Sequence, residues 1–207
     1  ARSPLRNNWE VAVSKPLDVL LITPPSRVQV YQELSRDFAA IEPPVWSGLI
    51  ATFLRQHSCS VAILDAEAEG LNHQQTADRI AAIAPRLAVF VIYGQQPSAS
   101  TQCMPAGRKV CEILNTLADI PTLVMGTHPS ALPKRTLLEE PYTYVCQGEG
   151  PSTILGLVIA LRAPQHSLRE VPGLWHMEKG EPVGNAPAQL LTNLDRELPG
   201  QAWDLLD

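Results

Sequence analysis

No apolar run in this chain approaches the roughly 18 residues that a membrane span requires. The opening, ARSPLRNNWE, carries charge but no apolar stretch behind it, so it is not a secretory signal. Positive charge is not in excess. Sixteen Lys and Arg stand against 21 Asp and Glu, a net of −5, which removes the electrostatic ground for a nucleic-acid partner. CxxC spacing is missing as well. Cys59, Cys103, Cys111 and Cys146 lie too far apart for a compact zinc knuckle, and no metal ligands are assigned. All four read as small buried apolar residues of a protein in a reducing, cytoplasmic compartment. Position 1 is Ala rather than Met, and the expectation is a trimmed or recombinant piece. What is present is a globular balance, 45% hydrophobic and 18% charged, in a length sufficient for one well-packed domain and an appendage.

The stretch LAVFVIYGQQPSAST, residues 87–101, organises the rest. Its first half is apolar and β-branched without polar alternation, the pattern of a strand buried on both faces. Its second half turns small and polar, as expected of a loop at the carboxyl end of such a strand, where ligands of open α/β sheets sit. Four similar strands are expected at Asp18–Thr23, Ser60–Leu64, Pro121–Met125 and Tyr142–Cys146. Between them, helical spacing predicts Val45–His57, Gln74–Ala84 capped by Asn72, a helix from Thr101 or Met104 to Leu117, a short one over Lys134–Glu140, and one from Pro151 to about Leu161. Strand and helix alternate five times, which predicts one doubly wound α/β domain with a five-stranded parallel sheet and helices on both faces. Right-handed crossovers gather its strand-end loops on one rim. After residue 163 the pattern changes: Glu178-Lys179-Gly180-Glu181 reads as a β-hairpin turn, and Leu194–Asp207 as a linker. The expected organisation is an arm over 1–16, the α/β domain over 17–163, and a hairpin and linker over 164–207.

The rim excludes several ligands. A dinucleotide site needs G-x-G-x-x-G after the first strand, and a P-loop needs its own glycines there. Here the turn is Thr23-Pro24-Pro25-Ser26, whose two prolines donate no amide. A phosphoacceptor domain would need Lys after the fifth strand, where Gln147 and Gly148 stand, and Ser26 alone is thin support for a flavin phosphate. The later loops are open: Gly94, Ser98, Ser100 and Thr101; Gly126, Thr127 and Pro129; Gly148 and Gly150. Such a rim suits a large planar ligand with amide edges and an appended heterocycle. His128 reads as a loop residue hydrogen-bonded to backbone, and Trp46 as packing on an apolar helix face. Glu149 reads equally as a contact to a ligand amide or as a cap for the last helix. Asp65, Glu67 and Glu69 read as a solvated acidic turn.

The segments DVLLITPPS, EPPVWSGLIATFLRQHSCSVAILDAEAEG, GQQPSASTQ, MGTHPSALP, YVCQGEGPST and VPGLWHMEKG…LDRELPGQAWDLL, in this order and spacing, resemble the cobalamin-binding domain of class B radical S-adenosylmethionine (SAM) enzymes. The resemblance runs from about residue 17 to 207. It implies a Rossmann-like fold holding cobalamin over the strand ends. Thr23, Pro24, Pro25 and Ser26 would face the lower side of the corrin. Tyr93, Gly94, Gln95, Gln96 and Ser98 to Thr101 would meet its edge and nucleotide tail. Gly126, Thr127, His128 and Pro129 would flank the tail pocket, Gln147, Gly148, Glu149 and Gly150 would close the far edge, and Glu42 would approach the corrin beside Pro43 and Pro44. In the wider cobalamin-binding group a DxHxxG motif supplies a histidine to cobalt. Its place here reads TPPSRVQ, which implies cobalamin with its own base displaced and no histidine beneath the metal. Arg27, Gln29 and Tyr31 all remain open as the group below. The family's exit segment leads into a barrel with a CxxxCxxC motif for a [4Fe-4S] cluster that works with SAM. No cysteine here has that spacing, so this chain is expected to bind cobalamin and catalyse nothing alone, its parent being a methyltransferase acting on an unactivated carbon. Trp175 and Trp203 would pack against that further domain. The alternatives from the residues themselves are a nucleotide-sugar- or flavin-binding α/β domain, or a ligand-sensing domain without catalysis.

Overall fold

The computed structural model describes residues 16–35, 40–94, 97–163 and 165–206. Strands β1 (Val19–Thr23), β2 (Val61–Asp65), β3 (Leu87–Val91), β4 (Thr122–Met125) and β5 (Tyr144–Cys146) run parallel in the order β2-β1-β3-β4-β5. The strand order reverses between β1 and β3, which opens a crevice above their carboxyl ends. The hairpin β6 (Leu174–Glu178) and β7 (Glu181–Gly184) is part of the same sheet. β6 pairs antiparallel to β5, with Tyr144 opposite His176, and makes the sheet seven-stranded.

Alternate strand residues feed two cores. Val19, Leu21, Val89 and Leu123 face helices α2 (Val45–Gln56) and α7 (Pro151–Arg162), meeting Ile50, Leu54, Ile154 and Leu157. Leu20, Ile22, Phe90 and Val124 face α3 (His73–Ile83), α4 (Pro97–Leu117) and α6 (Pro133–Glu139), meeting Ile80, Val110, Leu114 and Leu137. All five residues of β3 are buried, as the unbroken apolar run predicts. The Asn72 cap is realised with a partner: its Oδ1 accepts from the Gln75 amide at 2.9 Å, and Gln75 Oε1 accepts from the Asn72 amide at 3.0 Å.

Two helix boundaries differ from the sequence expectation. α4 begins at Pro97 rather than near Thr101, so Ser98 to Thr101 lie in its first turns and not in a loop. Proline suits a first helical position, and Ser100 is drawn inward, its hydroxyl donating to the Ile92 carbonyl at 2.6 Å. After β4, residues read as an open turn form the short helix α5 (Thr127–Ala131). Ahead of α2, the connection from β1 holds the short helix α1 (Arg27–Tyr31). Among the described residues no helix is long and apolar enough to cross a membrane.

Candidate functional site

A cavity of about 520 Å³ opens at the carboxyl end of the sheet. Trp46, Leu49 and Ile50 of α2 form one side, joined by Tyr93, just beyond β3. Gly126, Thr127, Ser130 and Ala131 bring the start of α5 to the floor, and Gly148, Glu149 and Pro151 bring the loop before α7. The last wall is Leu191, Leu194 and Leu198, from the segment after the hairpin. The lining is mostly apolar with a few polar groups, the usual character of a small-molecule pocket.

At the mouth, the rings of Trp46 and Tyr93 stack with centroids 4.8 Å apart and planes 22° from parallel. Trp46 is nonetheless 45% exposed. Its ring is therefore a surface of the cavity rather than core packing, which corrects the sequence reading. Burial, reinforced by Cys146 and Glu149, pushes the Tyr93 phenol up to about 12, so it remains a neutral donor.

The first loop is arranged differently. Glu67 Oε2 accepts from the backbone amides of Ser26 and Arg27, both at 2.7 Å, and Glu67 Oε1 lies 3.3 Å from Arg27 Nε. Glu67 is thus a structural acceptor that fastens the β1 loop to the β2 loop, and the solvated-turn reading does not hold for it. Pro24 is buried, and Thr23, Pro25 and Ser26 are half-buried. Glu42 is exposed on the approach to α2.

The other predicted residues divide by what they touch. Gln95 and Gln96 lie outside the described residues. Gly94 follows Tyr93 on the rim, and Ser98 is exposed on the first turn of α4. Ser100 is fully buried and spans β3 and α5, since it also accepts from the His128 amide at 3.1 Å. Thr101 Oγ1 is 2.9 Å from His128 Nδ1. Burial, with Arg135 nearby, lowers the His128 pKa and favours the neutral ring. His128 is hydrogen-bonded, as expected, but to a hydroxyl instead of backbone. Pro129 is the buried residue of α5. Gly126 has φ +146, and a Cβ there would run into the Ile92 carbonyl, so only glycine lets β3 and α5 close up. Gln147 Oε1 accepts from Trp175 Nε1 at 2.8 Å, holding the hairpin. Gly150 is buried against Met125. Glu149 neither caps α7 nor points at open rim: its Oε2 accepts from the Leu191 amide at 2.9 Å. The structure therefore brings Tyr93, Gly126, Thr127, Gly148 and Glu149 together around one cavity. It adds Trp46, Leu49, Ile50 and the three tail leucines, which sequence reasoning did not select. The placement of Trp46 at the start of α2 was the available signal, because that helix end points to the rim.

The family model for the B12 binding domain matches residues 34–158. No curated protein matches the chain by sequence. Among solved structures, the radical SAM methyltransferase TsrM from Kitasatospora setae, with tryptophan substrate and a SAM analogue bound, is similar over 84% of this chain and 31% of its own. The TM-score is 0.66 at 18% identity. The cobalamin-dependent SAM radical enzyme OxsB, with aqua-cobalamin and SAM bound, is similar over 92% of this chain and 25% of its own, with TM-score 0.69 at 18% identity. The chain spans between a quarter and a third of the length of these proteins. At such identities the likeness shows a common fold.

Proposed function

This chain belongs to the B12 binding domain family, and from that premise we propose that it is the cobalamin-holding module of a cobalamin-dependent radical SAM enzyme of the reducing cytoplasm. The observation that carries the reading is the place and lining of the cavity. It sits at the carboxyl ends of β3, β4 and β5, is walled by apolar side chains and the Trp46–Tyr93 stack, and is bordered by Gly148, where the position of a side chain is open space. These groups fit a flat heterocycle inserted edgewise with a broad ring system resting above.

The residues divide the work. Trp46 and Tyr93 would orient the heterocycle by stacking, and Leu49 and Ile50 would exclude water from it. Thr127 and Ser130 would flank its polar connection, Ser130 Oγ also accepting from the Gly148 amide at 2.9 Å. Thr23 to Ser26, held by Glu67, would support the ring system from below. Gln95 and Gln96 remain proposed contacts at its edge. Bound cobalamin would supply a cobalt able to take up and give up a methyl group. No histidine occupies the first loop, and His128 is engaged with Thr101 on the β4 side, which supports a base-displaced cofactor without imidazole below it. The parent activity is then methyl transfer to an unactivated carbon, with the [4Fe-4S] cluster and SAM held by a further domain that follows residues 164–207.

The nucleotide and flavin alternatives are disfavoured by Glu67. Their phosphates require the amides after β1, and the carboxylate already takes those of Ser26 and Arg27. The test is incubation of the purified chain with hydroxocobalamin followed by gel filtration. Corrin absorption should travel with the protein at one per chain, and the cobalt(II) form should give electron paramagnetic resonance lines without nitrogen splitting. A colourless protein with an intact melting transition would overturn the cobalamin reading. Nitrogen splitting would overturn the absence of a base below the metal.

A further inference from the structure

The fourth wall of the cavity is made differently from the other three. Its leucines lie on a segment that leaves β7, crosses the cavity, and returns along α2. The far end of that segment is firmly held. Arg55 donates to both oxygens of Asp204, at 2.8 and 2.7 Å. The Ala202 amide donates to the Gly48 carbonyl at 3.2 Å, with Gln201 against Gly48 so closely that a Cβ there would meet it at 3.2 Å. Over the cavity, by contrast, the ties are the hydrogen bond from the Leu191 amide to Glu149 in the loop before α7 and a long one, 3.5 Å, from Gln56 Nε2 of α2 to the Arg196 carbonyl. Leu190 and Leu194 are 70% and 56% exposed there. The short helix α8 (Leu194–Glu197) keeps this part ordered by its own contacts: Asn193 Oδ1 accepts from the Arg196 amide, and Glu197 Oε1 from the Asn193 amide.

We infer that residues 190–198 form a strap that closes over the flat end of the bound cofactor, and that Glu149 is the positioning residue that latches it. The inference rests on the cobalamin reading. The strap can swing because its anchor at Ala202 and Asp204 lies beyond the cavity, whereas over the cavity it is tied by exposed side chains, the short bond to Glu149 and the long one from Gln56. Swinging it out exposes the half-buried Leu191 and Leu198 and what remains covered of Leu194. A heterocycle behind them removes that apolar surface from water, so occupancy and closure stabilise each other. Glu149 then acts through Leu191 and not on the ligand, which resolves the two roles its sequence position allowed.

The test compares release of two corrinoids. Cobalamin carries the nucleotide tail; cobinamide has the same ring without it. Glu149→Ala should speed cobalamin release about tenfold and leave cobinamide release unchanged. Glu149→Gln, which keeps an acceptor oxygen, should restore most of the slow rate. Asp204→Asn loosens the far anchor without touching the cavity. It should also speed cobalamin release, and it carries the test if Glu149→Ala does not fold. Equal cobalamin release in wild type, Glu149→Ala and Asp204→Asn overturns the strap while leaving cobalamin binding intact. So does equal acceleration of both corrinoids. Failure of the wild type to take up either corrinoid overturns the cobalamin reading, and the strap with it.

Discussion

The two ends of the parallel sheet are built on opposite plans. At the amino ends of the strands, Asp18 is 7% exposed and fully engaged. Its oxygens accept from Arg162 at 3.0 and 2.6 Å and from the amide and hydroxyl of Ser60, and Arg86 lies 3.5 Å away. Burial opposes ionisation of Asp18, but the hydrogen bonds from Arg162 and Ser60 outweigh it and hold the carboxyl well below the usual range. At the carboxyl ends, the cavity is walled by apolar side chains, a partly exposed aromatic stack and one fastened loop. One end of the molecule uses polar groups to satisfy each other. The other leaves apolar surface lining a cavity, and that asymmetry agrees with the carboxyl ends as the face proposed for binding.

The contrast can be broken most severely from below. Asp18→Ala removes one partner of a mostly buried ion pair and should cost about 3 kcal/mol of folding stability in urea unfolding, with cobalamin affinity unchanged once folded. Because the folded carboxyl titrates lower than the unfolded one, its contribution is complete above the ordinary carboxylate range near ~4 and fades as pH falls below it. Acid unfolding of the wild type should therefore steepen below about pH 4, and Asp18→Ala should lose that part of the dependence. A smaller effect is expected at the fastened corner of the rim. Glu67→Ala strips the acceptor from two half-buried amides and should cost about 2 kcal/mol. It should also broaden the visible spectrum of bound cobalamin, by loosening the loop beneath it. The smallest change in folding belongs to the open side. Trp46→Ala should lower stability by under about 1 kcal/mol, since the ring is partly exposed and loses one stack. It should weaken cobalamin binding about tenfold, or ~1.4 kcal/mol. A Trp46→Ala protein that is much less stable but binds normally would dissolve the distinction between the two ends.

The sheet was readable because burial on both faces removes polar alternation, and Leu87–Val91 states this without ambiguity. Helix α2 was readable from its spacing, and α3 from the Asn72 cap, both properties of neighbouring residues. What escaped depends on partners distant in the chain. The run Pro97–Thr101 carries small residues that suit either a loop or a first helical turn. The choice is made by Ser100 reaching the Ile92 carbonyl beneath it. Glu67 looked like one acid among three, and its role rests on amides 40 and 41 residues away. The hairpin turn was visible, whereas its pairing to β5 joins segments about 30 residues apart. The tail leucines carry no periodicity, because an irregular segment that folds back over a cavity has no repeating geometry to impress on its sequence. Among the cavity-lining residues, Gly126, Thr127 and Gly148 are legible from strand-end position, Tyr93 from the family resemblance, and Glu149 as one of two open readings. Trp46 reads as packing because an aromatic on an apolar helix face is ordinarily interior.

The hairpin also settles how far hydrogen-bonded pairing can spread. β5 has only three residues, and β6 covers its outer side. The outermost strand, β7, reads Glu-Pro-Val-Gly: Pro182 has no amide to offer a newcomer, Glu181 adds a charge, and four residues give little length to copy. A second polypeptide therefore finds no template along this margin, which guards against runaway polymerisation in a crowded cell.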